Sequence, residues 1–253
     1  MRKQCALAVL LLALQSVVAH AEPSRLHPKV IDLSHTLDAD IPTFPGGVPF
    51  HAENVSTYEQ GYYANKIVLG EHTGTHVDAP LHVKAGGTPI DEIPVEGLVL
   101  PGIVIDATVQ VSGHDDFVLR PSDVAEWEKT NGKIPSGAAV LLYTGWSNRW
   151  FEPVRYLNQD EARVLHFPGF SPEAVTLLAD RGVSALGIDT LSIDPGSSKD
   201  LAAHHIAADR GLILMENLTD LVDLPPKKFQ VIMAPLKIKG GGGSPARILA
   251  LLS

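Results

Sequence analysis

Histidine and aspartate crowd into one short, conformationally restricted stretch, Glu71-His72-Thr73-Gly74-Thr75-His76-Val77-Asp78-Ala79-Pro80-Leu81-His82. Three of the chain's 11 histidines fall within it. Gly74 and two β-branched threonines weaken a helix here, and Pro80 lacks the N–H that a helix interior needs. In an extended chain, residues two apart share a side, so His72, His76 and Asp78 are expected to point the same way. The preceding run Lys66-Ile67-Val68-Leu69 reads as a strand, which makes the expected support a strand running into a rigid loop. Imidazole and carboxylate together suit borderline divalent metals such as Zn²⁺ or Mn²⁺. Any one of these histidines alone reads as a solvated loop residue. The group reads as a metal site.

The N-terminus has the layout of a secretory signal. Arg2 and Lys3 form a basic start, Ala6 to Val18 an apolar run, and Ala19-His20-Ala21 a small-residue cleavage site. Residues 1–21 are therefore expected to be a signal peptide cleaved after Ala21, with export to a bacterial periplasm. The apolar run is short for a membrane span, and no stable membrane association is expected after cleavage. Cys5 lies inside this segment without a lipoprotein arrangement, and it is the only cysteine in the chain. The mature protein thus has nitrogen and oxygen ligands only and cannot form a disulfide.

Removing those residues leaves 232 of the 253, enough for one α/β domain with its own core. It also lowers the basic count from 20 to 18 against 29 acidic residues, a formal charge of −11. No basic stripe interleaved with aromatics is present, so nucleic acid is not an expected partner.

Strands are expected at Lys29 to Ser34, Val99 to Ile105, Ala138 to Tyr143, Val183 to Ile188 and Leu212 to Met215, and late in the chain at Phe229 to Ile238 and Ala246 to Leu252. Ser122 to Thr130 reads as a helix with Ser122 as N-cap, and Ser171 to Asp180 as one capped by Ser171 with Pro172 at its first position. Asp200 to Arg210 reads as a third helix, stopped by Gly211. The mixture is α/β, without the regular alternation of a (β/α)₈ barrel or a doubly wound sheet. Gly240-Gly241-Gly242-Gly243-Ser244 resembles a linker, but a strand-like segment follows at once, so it reads as a native loop near the site.

His204, on the third helix, and Glu216, at the end of the strand that follows, add two more candidate ligands. On their own merits, Glu216 can be either a ligand or an orienter of an imidazole. His205 is the competitor of His204, since only one of two adjacent helical residues faces a given site squarely.

The segment HTGTHVDAPLH resembles the signature of the metal-dependent cyclase and hydrolase family that includes bacterial kynurenine formamidase and isatin hydrolase. The resemblance extends over Val30–Ser34, Ile41–Gly46, Leu142–Trp146, Gly187–Pro195, His204 with Glu216-Asn217-Leu218, Ala234–Ile238 and Gly243–Arg247. It implies the swivelling β/β/α fold as one domain over residues 22–253. It further implies that His72, His76 and Asp78 bind a first divalent metal, that Asp78 and Glu216 bridge, and that His204 binds a second. His82 matches the family's proton-transferring residue; a role as fourth ligand stays open. Phe44 stands where the formamidases have a tryptophan that packs on an aromatic substrate. A phenyl ring offers less area and no N–H, and export sits poorly with cytosolic tryptophan breakdown. The resemblance therefore implies a metal-dependent hydrolase of a small-molecule amide, of the arylformamidase type with an N-formylkynurenine-like substrate, and a homo-oligomer. Opening of a cyclic amide, as in isatin hydrolase, is the first alternative. A periplasmic metal- or ligand-binding protein without turnover is the second.

Overall fold

The computed structural model describes residues 28–252; the expected signal peptide, its cleavage site and Cys5 lie outside them. In chain order the strands are β1 (Val30–Asp32), β2 (His51–Ser56), β3 (Ala64–Val68), β4 (His76–Asp78), β5 (Val99–Asp106), β6 (Val118–Leu119), β7 (Ala139–Tyr143), β8 (Gly169–Phe170), β9 (Ala185–Ile188), β10 (Ile213–Glu216), β11 (Phe229–Pro235) and β12 (Gly243–Leu252). The helices are α1 (Thr108–Val111), α2 (Pro121–Asn131), α3 (Pro153–Leu157), α4 (Pro172–Asp180) and α5 (Ala202–Asp209).

Seven strands close on themselves in the order β12-β11-β5-β7-β9-β10-β4, because β4 pairs back to the start of β12. β12 makes this possible by its length. It pairs with β11 on one side, and on the other it takes β4 at Gly243–Pro245 and β1 at Leu249–Leu251. Closure leaves few open edges to pair with other chains. β5, β7, β9 and β10 run parallel, and the connections between them carry α2, α4 and α5. The result is a mixed α/β domain with a barrel-like sheet, the expected class without regular β/α alternation.

Parallel strands buried on both faces need continuous apolar runs, and β7 has one. Leu141 points into the barrel core with Val77, Met215, Val231 and Ile248, while Val140 and Leu142 pack outward against α2 and α4. Fully burying one such side chain contributes about 1.5–3 kcal/mol. A third cluster, built on Trp146, Trp150, Tyr156 and Phe167, lies apart from these two.

Several boundaries differ from the sequence reading. α2 starts at Pro121, not after Ser122: Arg120 precedes the helix, and the Asp123 carboxylate accepts its N–H at 2.7 Å. Proline at a first helical position needs no N–H, so Pro121 outcompetes the serine. Ser171 does cap α4, accepting the Ala174 N–H at 3.0 Å. β12 begins at Gly243 rather than Ala246, so the last glycine of the loop is already in the sheet. The strand expected over Lys66–Leu69 exists as β3, but it pairs only with β2, in a hairpin set apart from the main sheet.

Candidate metal centre

β4 carries His76 and Asp78 on one face and Val77 on the other, so Val77 enters the barrel core while the two polar side chains face outward. β10 has the same logic. Met215 is in the core, and Glu216 lies directly across the antiparallel ladder from His76. α5 packs over this outer surface and brings down His204, which is buried, whereas His205 is exposed. His72 arrives differently from the expected extended run. A turn at Gly74, with φ +65°, breaks the chain before β4 begins and folds His72 back over Asp78.

The distances are those of one cluster. His76 Nε2 lies 3.3 Å from Asp78 Oδ1 and 3.3 Å from Glu216 Oε2. His204 Nε2 lies 3.4 Å from Asp78 Oδ2 and 3.2 Å from Glu216 Oε1. His72 Nδ1 is 2.6 Å from Asp78 Oδ1. Each carboxylate thus presents one oxygen to His76 and the other to His204. Ligand atoms of His76, Asp78 and Glu216 all lie within 4.8 Å of one another, and so do those of His72, Asp78 and His82. The two groups share Asp78.

A buried polar atom normally has a partner. Here His76 Nε2 and Asp78 Oδ2 are buried without a hydrogen bond. The opposite ring nitrogens are anchored, His76 Nδ1 on the Gly74 carbonyl at 2.8 Å and His204 Nδ1 on Asp194 Oδ2 at 2.6 Å. This turns both Nε2 atoms into the cluster, the arrangement metal-ligating imidazoles need. The unpaired atoms, the anchored rings and the N/O donor set fit a divalent cation. Asp194 also accepts the backbone N–H groups of Ala203 and His204, so one carboxylate caps α5 and aims its ligand. From sequence, Asp194 in the polar loop Ser192–Pro195 reads equally as a support of the site or as a turn former; the structure gives it the supporting role. Its signal was its place in the polar loop just ahead of a helix that has no capping side chain of its own.

Electrostatics agree with the geometry. Burial pushes His204 down, but Glu216, Asp194 and Asp78 raise it well above its ordinary value. Burial likewise works against the Asp78 carboxylate, yet the charge of His76, the nearby His204 and the hydrogen bond from His72 hold it well below the usual range. Without a metal, the imidazoles carry the positive charge the carboxylates require.

His82 sits on a turn of 3₁₀ helix, Pro80–His82, at the exposed rim. Its ring centroid is 4.0 Å from that of His72 and 5.8 Å from that of His204. Partial burial lowers its pKa, Asp78 opposes this, and the neighbouring His72 and His204 add to the lowering. The balance favours the neutral imidazole. The glycine loop closes the other side. Gly242 N–H donates to Glu71 Oε2 at 3.1 Å, and a Cβ on Gly243 would stand 2.6 Å from His72 Cε1. Only glycine admits His72 at that approach.

The cluster opens into a cavity of about 300 Å³. His72, His76, His82, His204 and Glu216 form its floor, and Pro42, Phe44, Leu191 and Leu201 its apolar walls. Phe44 is half-exposed at the mouth. Among the described residues, no lysine or arginine lines it.

Known proteins resemble this chain in sequence and in fold. The chain is 34% identical over 196 residues to an isatin hydrolase of Roseibium aggregatum, covering 74% of each chain. It is 31% identical over 221 residues to a kynurenine formamidase of Salinibacter ruber, covering 86% of this chain and 95% of that one. Among solved structures, isatin hydrolase A from Ralstonia solanacearum superposes with a TM-score of 0.84 at 36% identity, over 89% of this chain and 92% of that one. The family model described as putative cyclase matches residues 31–195, from β1 to the loop before α5, and so spans the segment that supplies His72, His76, Asp78 and His82. By that match and by both relatives, the chain belongs to the cyclase family.

Proposed function

We propose that this protein is a metal-dependent hydrolase of the carbon–nitrogen bond of a small, uncharged aromatic amide. The observation that carries this reading is the pair of buried ligand atoms without a hydrogen-bond partner among the described residues, His76 Nε2 and Asp78 Oδ2, at the floor of an apolar cavity with His82 at its rim. His76, Asp78 and Glu216 would hold one Zn²⁺ or Mn²⁺, with His204 reaching the same two carboxylates. His72 joins through Asp78. When bound, the metal polarises the substrate carbonyl and lowers the pKa of water toward about 7. His82 Nε2 or Nδ1 takes a proton as water adds to the carbonyl carbon, and returns it to the nitrogen as the C–N bond breaks. The product is a carboxylate and a free amine. Phe44, Leu191 and Leu201 hold the ring and exclude bulk water.

The cavity's charge narrows the substrate. An N-formylkynurenine-type molecule carries a carboxylate and an ammonium on its amino-acid end, and among the described residues no lysine or arginine lines the cavity to meet the carboxylate. A polar group desolvated without its partner costs about 1–3 kcal/mol, or about 10–100-fold in kcat/KM. Isatin and formanilide, which carry no charge, are therefore expected to exceed N-formylkynurenine by that factor in a side-by-side assay of metal-loaded protein. A preference for N-formylkynurenine would contradict the neutral-substrate reading and leave the amidase reading standing.

We also propose export, on the layout of residues 1–21. The protein recovered from the periplasm is expected to begin at Glu22, and a full-length cytosolic product would overturn this.

A further inference from the structure

We propose that Asn217, backed by Tyr156, is a positioning residue that sets the direction of the His76 imidazole and thereby the affinity of the metal centre. The inference rests on the metal reading above and adds to it a device outside the ligand set.

Asn217 follows Glu216 at the end of β10 and adopts a left-handed backbone, φ 54°. Asparagine is among the few non-glycine residues that tolerate this region. The turn carries its side chain back toward the segment before β4. Asn217 Nδ2 donates to the Gly74 carbonyl at 2.9 Å. That carbonyl is also the acceptor of His76 Nδ1–H at 2.8 Å. One carbonyl oxygen is thus held by two donors, and its direction fixes both the tautomer and the ring orientation of His76.

The amide is itself held. Tyr156 hydroxyl donates to Asn217 Oδ1 at 2.9 Å and lies 3.0 Å from the Asp189 carbonyl. The Gly74 carbonyl can only accept, so the amide turns its nitrogen to Gly74 and its oxygen to the Tyr156 hydroxyl. Tyr156 is fully buried, and that burial, with the charges of Asp189 and Glu216, keeps the phenol well above its ordinary pKa. It remains a donor across the working pH range. The Asn217 backbone is also engaged: its N–H donates to Thr190 O at 2.9 Å, and its carbonyl accepts the Thr75 hydroxyl at 2.6 Å. The left-handed turn alone would be met by glycine. What glycine lacks is the amide that ties Tyr156 to the carbonyl behind His76.

Asn217→Gly separates these roles, because it preserves the backbone conformation and deletes only the tether. Outer-shell partners of metal-bound histidines are typically worth about 10–100-fold in affinity. Zn²⁺ dissociation constants measured by chelator competition are expected to rise by that factor in Asn217→Gly and by less in Tyr156→Phe. The double variant is expected to be no weaker than Asn217→Gly alone, since Tyr156 acts through Asn217. Thermal unfolding with and without Zn²⁺ separates positioning from mere stability. A structural role lowers both melting temperatures equally, whereas a positioning role shrinks the increment that Zn²⁺ confers. Unchanged Zn²⁺ affinity in Asn217→Gly, with the fold confirmed by circular dichroism, would overturn the inference. Should that variant fail to fold, unchanged affinity in Tyr156→Phe would do the same. Native protein that takes up no Zn²⁺ would overturn the metal reading and this inference with it, an outcome distinct from a change confined to the variants.

Discussion

His76→Ala is expected to emerge from desalting without its metal, and to bind Zn²⁺ or Mn²⁺ at least about a hundredfold more weakly than the native protein. Loss of a group that merely orients a metal-bound imidazole already costs about 10–100-fold, and His76 stands at the centre of the cluster. Its Nε2 lies 3.3 Å from an oxygen of each carboxylate, Asp78 and Glu216. Truncation leaves two buried carboxylates with fewer positive partners.

The same residue gives metal uptake a pH dependence of known sign. In the metal-free protein burial pushes the His76 pKa down, but the close negative charges of Asp78 and Glu216 outweigh it and raise the value from 6.5 to about 10. A ligand imidazole must be neutral. Loading at pH 7 therefore displaces a proton, and affinity is expected to rise with pH until about 10. For the metal-free fold the linkage runs the other way. The protonated imidazole contributes stability in full below about 6.5, and the contribution is lost as pH rises through about 10. Proton release on adding metal to a weakly buffered solution reads this directly. Full metal occupancy in His76→Ala would remove the residue from the ligand set.

His82→Ala is expected to behave in the opposite way, keeping near-normal metal content while turnover falls about 10²–10⁴-fold, the usual contribution of a positioned acid–base group. The geometry supports the separation without dictating it. His82 is exposed at the rim and has no hydrogen bond to either carboxylate, unlike His72, yet its ligand atoms stand within 4.8 Å of those of His72 and Asp78. Metal content and turnover must therefore come from one preparation. Loss of metal in proportion to activity would make His82 a ligand. Retention of both would leave proton transfer to another group, with Glu216 the first suspect.

The chemistry of the centre was legible because it is local. His76 and Asp78 sit two apart on a real strand, and the alternation that groups them also sends Val77 into the core. The same rule extended to His72 fails, since Gly74 bends the chain, and His72 returns to Asp78 through a turn and not along a strand. His204 and Glu216 were candidates from their places on a helix and a strand end, but their ligand roles came only from resemblance, because α5 and β10 meet β4 only in three dimensions. Closure of the sheet was not legible at all. It depends on Gly243–Pro245 finding β4, a pairing between distant segments that no periodicity announces. Gly243 itself was placed near the site, but its reason, the 2.6 Å approach of His72, is a tertiary fact. Asn217 was read as part of a motif, and its amide acquires a task only once Gly74 and Tyr156 stand on either side of it.

The central claim is that amide hydrolysis requires a metal held by this cluster, and one titration tests it most directly. Native protein stripped with a chelator is returned stepwise to Zn²⁺ or Mn²⁺, and isatin hydrolysis is followed against metal bound per chain, with His76→Ala carried alongside. The account predicts no turnover in the stripped protein, activity rising in proportion to bound metal, and none recovered by His76→Ala at concentrations that restore the native protein. Turnover that persists in the fully stripped native protein would contradict it.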